Sequence, residues 1–459
     1  MRRTADRAEW EEIFRGYDIR GLYPREIGPT IARRLGYALG RALPGPFLVG
    51  RDTRRASKSF ALGLRVGLRS AGARLDDVGI VPTPEVAFLA GRFRRYGLAV
   101  TPSHNPLGYV GLKGFAPSGR LFDREWRSVH DAYQVTTARG ARGSARVSPR
   151  STARAPGALG PWEPEYLAHL TDGLACDLTV VLDTRGGATA RVAPAALRRM
   201  GARVKETTSG FSSDFFGQSP EPRADTLTSL SDRILAARAD VGFAFDGDGD
   251  RCVILDSRGD RVEPEVIALL LHEAISDPGT PIVASVDASQ ILERRARTIR
   301  SRVGGRYVTR AMRRAGAEVA LEPSGHYYVR RYGADSDGLL IACLVCDVVR
   351  RKGAPLRELS RRIGRVYRGA FAAEFRDVAE ARQALQTIER GLGSRARSGL
   401  DGITVEFPDG WCLVRRSNTQ PSVRFAYEAT GIAALRRLDR TVRALAETGV
   451  KRGRVRGPT

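Results

Sequence analysis

Apolar residues recur along this chain in two alternating rhythms. Phe47-Leu48-Val49-Gly50 is a short apolar run ending in glycine, residues 59–71 place apolar side chains at helical spacing, residues 75–81 turn extended again, and Gly97-Leu98-Ala99-Val100 is a further strand-like run. Strands that alternate with amphipathic helices predict parallel α/β construction, in which functional loops lie at the C-terminal ends of strands. The segment Thr101-Pro102-Ser103-His104-Asn105-Pro106 begins at such an end.

The pattern restarts twice. Leu178 to Asp183 is a strand followed by Gly186-Gly187 and a helix through Met200, and residues 239–245 form a buried-strand pattern that runs into an acidic loop. A third unit has a helix around residues 266–272, a strand at 281–284, a strand at 318–321 and a long helix after Asp337. The last ninety or so residues differ in texture. Ile403-Thr404-Val405-Glu406-Phe407 alternates, Asp409-Gly410 turns, residues 411–415 and 422–427 return as strands, and a helix covers 432–447. That is the signature of a small α+β domain with an antiparallel sheet. Residues 136–160 are rich in Gly, Ala, Ser, Arg and Pro without periodicity and read as a linker. The expected organisation is α/β, with three related α/β domains (1–150, 151–253 and 254–368) and an α+β domain at 369–459.

Composition adds few constraints on the fold and several on function. No apolar run approaches the ~18 residues of a membrane helix, and the first residues carry no apolar signal stretch, so a cytoplasmic protein with no membrane partner is expected. The net charge of +24 raises nucleic acid as a partner. The basic residues are spread along the chain, however, and only five of the 75 are lysine, a skew typical of coding bias rather than of a binding surface. Nucleic acid is therefore not an expected partner. The same skew makes Lys113 conspicuous, ten residues beyond Ser103, because lysine can give or take a proton whereas arginine does not. Five cysteines make no disulfide framework, and Cys343 and Cys346 lie within an apolar helical stretch that reads as core.

Four segments carry chemistry. Asp246-Gly247-Asp248-Gly249-Asp250-Arg251 sets three carboxylates at alternate positions, a cluster of hard oxygens suited to a divalent cation. An EF-hand is excluded by Arg251 at the sixth position and Ser257 at the twelfth. Ser103, between two prolines, is either a constrained turn or a nucleophile, and no G-x-S-x-G elbow supports a serine hydrolase. Arg415-Arg416-Ser417-Asn418-Thr419-Gln420-Pro421 with Arg424 gathers guanidinium, hydroxyl and amide donors that match a phosphate dianion, or else form a polar turn. Glu322-Pro323-Ser324-Gly325-His326 could grip adjacent sugar hydroxyls and shuttle protons, or cap a turn.

Together, in this order, these segments resemble the α-D-phosphohexomutase superfamily, specifically its bacterial phosphomannomutase/phosphoglucomutase branch. The opening Phe14-Arg15-Gly16-Tyr17-Asp18-Ile19-Arg20-Gly21 is similar to that branch, where phosphoglucosamine mutases usually open with a G-T-D-G-I-R-G type sequence. The resemblance implies four domains around a central cleft, with Ser103 as phosphoserine and Ser103, Asp246, Asp248 and Asp250 around Mg2+. It implies Arg20, His104, Lys113, Arg251 and His326 about the transferring phosphoryl group. Glu322 and Ser324 would hold sugar hydroxyls, and Arg415, Ser417, Asn418, Thr419 and Arg424 the other phosphate. The implied substrate is a hexose phosphate, with hexose 1,6-bisphosphate as intermediate and activator, and a monomer or weak dimer is expected. Departures at Pro102, Leu321 and Gly305 remove no essential group and bear on sugar choice. The alternatives are phosphoglucosamine mutase, which the opening segment disfavours, and a sugar-phosphate-binding protein that has lost turnover, against which the serine, the three aspartates, Lys113 and both phosphate-binding segments are intact.

Overall fold

The computed structural model describes residues 10, 13–14, 18–138, 162–333, 335–417, 420–449 and 454–456. Most of the proposed linker, residues 15–17 of the opening motif, and Asn418 and Thr419 lie outside them. The chain forms two compact units: Met1–Val262 with Gly325–Arg357, and Glu263–Ser324 with Glu358–Thr459.

The first unit contains two sheets of one design. In the first, β1 (Ile19–Leu22), β2 (Phe47–Arg51), β3 (Leu75–Ile80), β4 (Tyr96–Val100) and β5 (Tyr109–Phe115) lie in the order β1-β5-β4-β2-β3. In the second, β6 (Thr179–Asp183), β7 (Arg203–Glu206), β8 (Val241–Phe245), β9 (Cys252–Asp256) and β10 (Arg261–Val262) run β10-β9-β8-β6-β7. In both, a parallel triplet is extended by an antiparallel strand. Parallel strands are covered on both faces, which is why Phe47, Leu48 and Val49, and likewise Val180, Val181 and Leu182, are all buried. Each such side chain contributes roughly 1.5–3 kcal/mol on burial. The helices Pro29–Ala42 and Arg55–Ser70 approach so closely that a Cβ on Gly36 or Gly67 would lie 2.0 Å from the facing backbone.

After the second unit's first segment the chain re-enters the first unit as the strand His326–Val329 and the helix Gly338–Lys352. Asp337 caps that helix by accepting from the amides of Leu339 and Leu340. Cys343 and Cys346 are buried in it, in agreement with the core reading, and all five cysteines are free and buried.

In the second unit Ile282–Ser285 pairs in parallel with Thr298–Ser301 on one side and Val319–Glu322 on the other, the pairing of β6 with β7 and β8 over again. The C-terminal part is a six-stranded antiparallel sheet whose strands include Tyr367–Glu374, Ile403–Phe407, Gly410–Arg416 and Ser422–Ala429. Helices Val378–Leu392 and Ile432–Gly449 contribute Ile388, Leu392, Leu438 and Val442 to a core with Phe371, Val414 and Phe425. The expected hairpin at Asp409-Gly410 and the closing helix are both present.

Candidate active site

Ser103 follows β4 on a tight loop and adopts φ +56°, a left-handed conformation that costs a non-glycine residue about 1–3 kcal/mol. The loop is held in it. The Ser103 amide donates to Thr101 Oγ1 at 2.8 Å, and Thr101 Oγ1 in turn donates to Asp52 Oδ2 at 2.9 Å. Ser103 itself is 1% exposed, and its Oγ donates to Asp246 Oδ2 at 2.9 Å while lying 3.3 Å from His104 Nδ1.

The loop after β8 occupies the same position in the second sheet as the Ser103 loop does in the first. It gathers Asp246, Asp248 and Asp250, all buried, with one oxygen of each within 4.8 Å of the others. Backbone donors shape it: Asp246 Oδ1 accepts from the amides of Gly249 and Arg251. Thr83 Oγ1 donates to Asp248 Oδ2 at 2.6 Å, and Ser336 Oγ donates to the Asp250 carbonyl at 2.6 Å. Lys113 Nζ, on β5, bonds Asp248 Oδ2 at 2.8 Å and Asp250 Oδ2 at 2.5 Å. Burial lowers the lysine's affinity for its proton, but the two carboxylates outweigh burial and hold the ammonium well above the ordinary lysine range. Lys113 is a fixed cation in this arrangement.

Burial and the charges of Asp248 and Asp250 push the Asp246 carboxyl well above the aspartate range. At Asp250 burial is outweighed by Lys113, His326 and Arg251, and the group is held well below it. Among the described residues, the buried Asp248 Oδ1 has no hydrogen-bond partner. Three convergent hard oxygens with an unused acceptor fit a divalent cation.

Arginines and histidines border the cluster. Arg251 bonds His104 Nδ1 at 2.9 Å, Glu221 Oε1 at 3.1 Å and His326 Nε2 at 3.4 Å. His326 Nε2 lies 3.5 Å from Asp250 Oδ1. Arg20 is fixed by Asp18 and donates to the Pro102 carbonyl at 3.3 Å and Asn105 Oδ1 at 3.1 Å. Ser103, His104, Lys113, Arg20, Asp246, Asp248, Asp250, Arg251 and His326 are thus brought together in the first unit.

The second unit assembles the remaining expected groups. Glu322 is buried and accepts from the Gly304 amide at 2.7 Å, where Gly304 adopts φ +123° at the start of helix Gly305–Ala315. Asp401 accepts from the Val303 amide at 3.1 Å and pairs with Arg415 at 3.7 Å, so the 303–304 turn links Glu322 to the C-terminal sheet. Arg415 and Arg424 are direct partners on adjacent strands, a like-charge pairing that is unfavourable unless an anion lies between or beside them. Ser417 is buried, and its Oγ accepts from the Gln420 amide at 3.2 Å. Ser324 is exposed.

Known proteins carry the same plan. Models of the phosphoglucomutase/phosphomannomutase α/β/α domains I, II and III match residues 11–135, 164–259 and 263–367, and that of the C-terminal domain matches 364–445. A Methanosarcina acetivorans protein named a probable phosphoglucosamine mutase is 31% identical, over 91% of this chain and 95% of its own. The chain belongs to the phosphoglucomutase/phosphomannomutase family. A phosphomannomutase/phosphoglucomutase of Pseudomonas syringae is 27% identical over 93% of both chains. The crystal structure of a family protein from Burkholderia thailandensis superposes with a TM-score of 0.81 at 26% identity, covering 97% of this chain and 99% of that one. The chain is accordingly a phosphohexomutase of the α-D-phosphohexomutase superfamily, an isomerase class that transfers phosphate within a sugar.

Asp52, Arg54, Asp183, Arg185 and Glu221 also hold the site together and are not among the residues expected from the sequence. A signal for the first four was present: Asp-Thr-Arg recurs at 52–54 and 183–185, at the ends of corresponding strands β2 and β6. Glu221 had none.

Proposed function

We propose that the protein interconverts the 1- and 6-phosphates of mannose and glucose through a phosphoryl group carried on Ser103. The observation that carries the reading is the placement of Ser103 Oγ, buried and 2.9 Å from Asp246, within a cluster of three carboxylates, one lysine and two arginines. In a hydrolytic triad a histidine oriented by a carboxylate behind it takes the serine proton; here Oγ donates directly to Asp246 within a carboxylate and cation cluster, and the nearby His104 Nδ1 is engaged by Arg251.

In the first half-reaction phosphoserine gives its phosphoryl group to the free hydroxyl of a hexose 1-phosphate, leaving Ser103 and a hexose 1,6-bisphosphate. The bisphosphate turns over and its other phosphoryl group returns to Ser103, releasing hexose 6-phosphate. Asp246, Asp248 and Asp250, together with a phosphoryl oxygen on Ser103, would hold Mg2+, which supplies charge neutralisation at the transferring group. Arg251, Arg20 and Lys113 present fixed positive charge to the equatorial oxygens, and His326 or His104 holds the hydroxyl proton. Glu322 and Ser324 orient the sugar, while Arg415, Ser417, Asn418, Thr419 and Arg424 bind the phosphate that stays.

Glucosamine phosphate is a second reading, favoured by the name of the Methanosarcina relative. Assays with mannose, glucose and glucosamine 1-phosphates, each with magnesium and catalytic bisphosphate, rank the three sugars. Conversion of none of them, with Ser103→Ala behaving identically, sinks the mutase reading.

A further inference from the structure

We infer that Arg54 is the positioning residue that sets the Ser103 loop, and that the Asp52–Arg54 pair is a clamp repeated in the second α/β unit as Asp183–Arg185. The inference rests on the phosphoryl-relay reading of Ser103 for its kinetic consequence, and on geometry alone for the clamp.

Arg54 is fully buried just beyond β2, as the N-cap residue of helix Arg55–Ser70. Its guanidinium donates to three carbonyls of the loop: Ser103 at 2.8 Å, Asn105 at 2.6 Å and Pro106 at 2.6 Å. Asp52 holds it at 3.2 Å and also accepts from the Arg54 amide and from Thr101, which anchors the Ser103 amide. The other side of the guanidinium lies over the Phe215 ring at 5.0 Å. A Cβ on Gly247 would stand 3.1 Å both from that ring and from the Ser103 carbonyl, so serine loop, arginine, ring and aspartate loop are in mutual contact. Five N–H donors in a rigid plane suit this task, and a lysine's point charge does not.

The second copy makes coincidence a poor account. Arg185, also fully buried, is held by Asp183 at 3.2 Å and donates to the carbonyls of Ser219, Glu221 and Thr226. Glu221 is the residue that holds Arg251. Each clamp therefore fixes backbone carbonyls in a segment that carries or steadies a group of the site.

The test is Arg54→Lys, with Asp52→Asn as a milder variant should the first not fold, and Arg185→Lys as the control for general loosening. Three quantities are read: turnover, the rate at which hexose 1,6-bisphosphate phosphorylates Ser103 by intact mass, and amide hydrogen exchange in residues 101–109. A displacement of about 1 Å at a reacting atom costs about 100-fold. Arg54→Lys should lower kcat and the serine phosphorylation rate by about that factor, leave KM within about threefold, and speed exchange in 101–109. Asp52→Asn should move the same quantities by about tenfold. Arg185→Lys should leave exchange in 101–109 unchanged. Wild-type exchange and phosphorylation in Arg54→Lys, or equal exchange gains in Arg185→Lys, overturn the clamp. If the wild-type protein accepts no phosphoryl group at all, the mutase reading falls, and the exchange comparison still decides the clamp.

Discussion

Lys113 offers one Nζ to two carboxylates that would otherwise face each other across a buried space. Lys113→Met leaves three buried aspartates without that ammonium, and removal of one partner from such a group costs about 3–5 kcal/mol. The expected result is an earlier urea midpoint, largely recovered by millimolar magnesium but not by sodium chloride of equal ionic strength. The rarity of lysine in the chain pointed to this residue, because a site that tolerates arginine in so arginine-rich a sequence would have carried one. The same richness concealed Arg54 and Arg185. Among 70 arginines, two fully buried ones have no compositional mark, and only their repeated Asp-Thr-Arg setting distinguishes them. Residues whose work is chemical were legible by type and spacing, whereas residues whose work is to hold carbonyls were not, since carbonyls leave no trace in sequence.

Among the elements, helix Gly338–Lys352 starts on Asp337, whose carboxyl caps the helix and also accepts from Tyr166 at 2.8 Å. Burial pushes that carboxyl up to about 6, above its unfolded value. A group whose folded value is raised favours the native state while protonated, so its contribution is complete at low pH and declines as pH climbs from about 4 through about 6. Asparagine caps as well as aspartate and does not titrate. Asp337→Asn should therefore gain stability relative to wild type across that interval, by on the order of 1–3 kcal/mol, read as the difference in unfolding free energy at pH 4 and pH 7. Gly304 makes a second element-scale case. Its φ of +123° is needed for its amide to meet Glu322, so Gly304→Ala should raise KM for hexose phosphate about tenfold, through roughly 1–3 kcal/mol of strain. The strand and helix rhythm was readable because parallel strands must be apolar on both faces and surface helices on one. Cap and turn geometry of this kind was readable only as punctuation.

At the scale of the molecule, the groups proposed for phosphoryl transfer belong to one compact unit and Glu322, Arg415 and Ser417 to the other. Variants should sort accordingly. Arg415→Ala is expected to raise KM by about 100-fold, the loss of a charge-assisted phosphate contact, with a smaller change in kcat. Inorganic phosphate should raise the melting temperature of the wild-type protein and not of that variant. The stretch matched by the family's domain III, residues 263–367, is divided in its packing: residues 325–357 belong to the compact unit built mainly by the first 262 residues. Nothing in periodicity reports which side of a boundary a helix packs on. The aspartate loop depends on that returning segment: the Asp250 carbonyl accepts from Ser336, and the Gly249 carbonyl from the Gly338 amide at 3.2 Å. During synthesis, then, a nascent chain that has emerged only as far as Val262 already contains the serine and all three aspartates, but not Ser336 and Gly338, which engage the Asp250 and Gly249 carbonyls of the aspartate loop. The ribosome must deliver some seventy-six further residues, to Gly338, before both of those loop carbonyls have their partners.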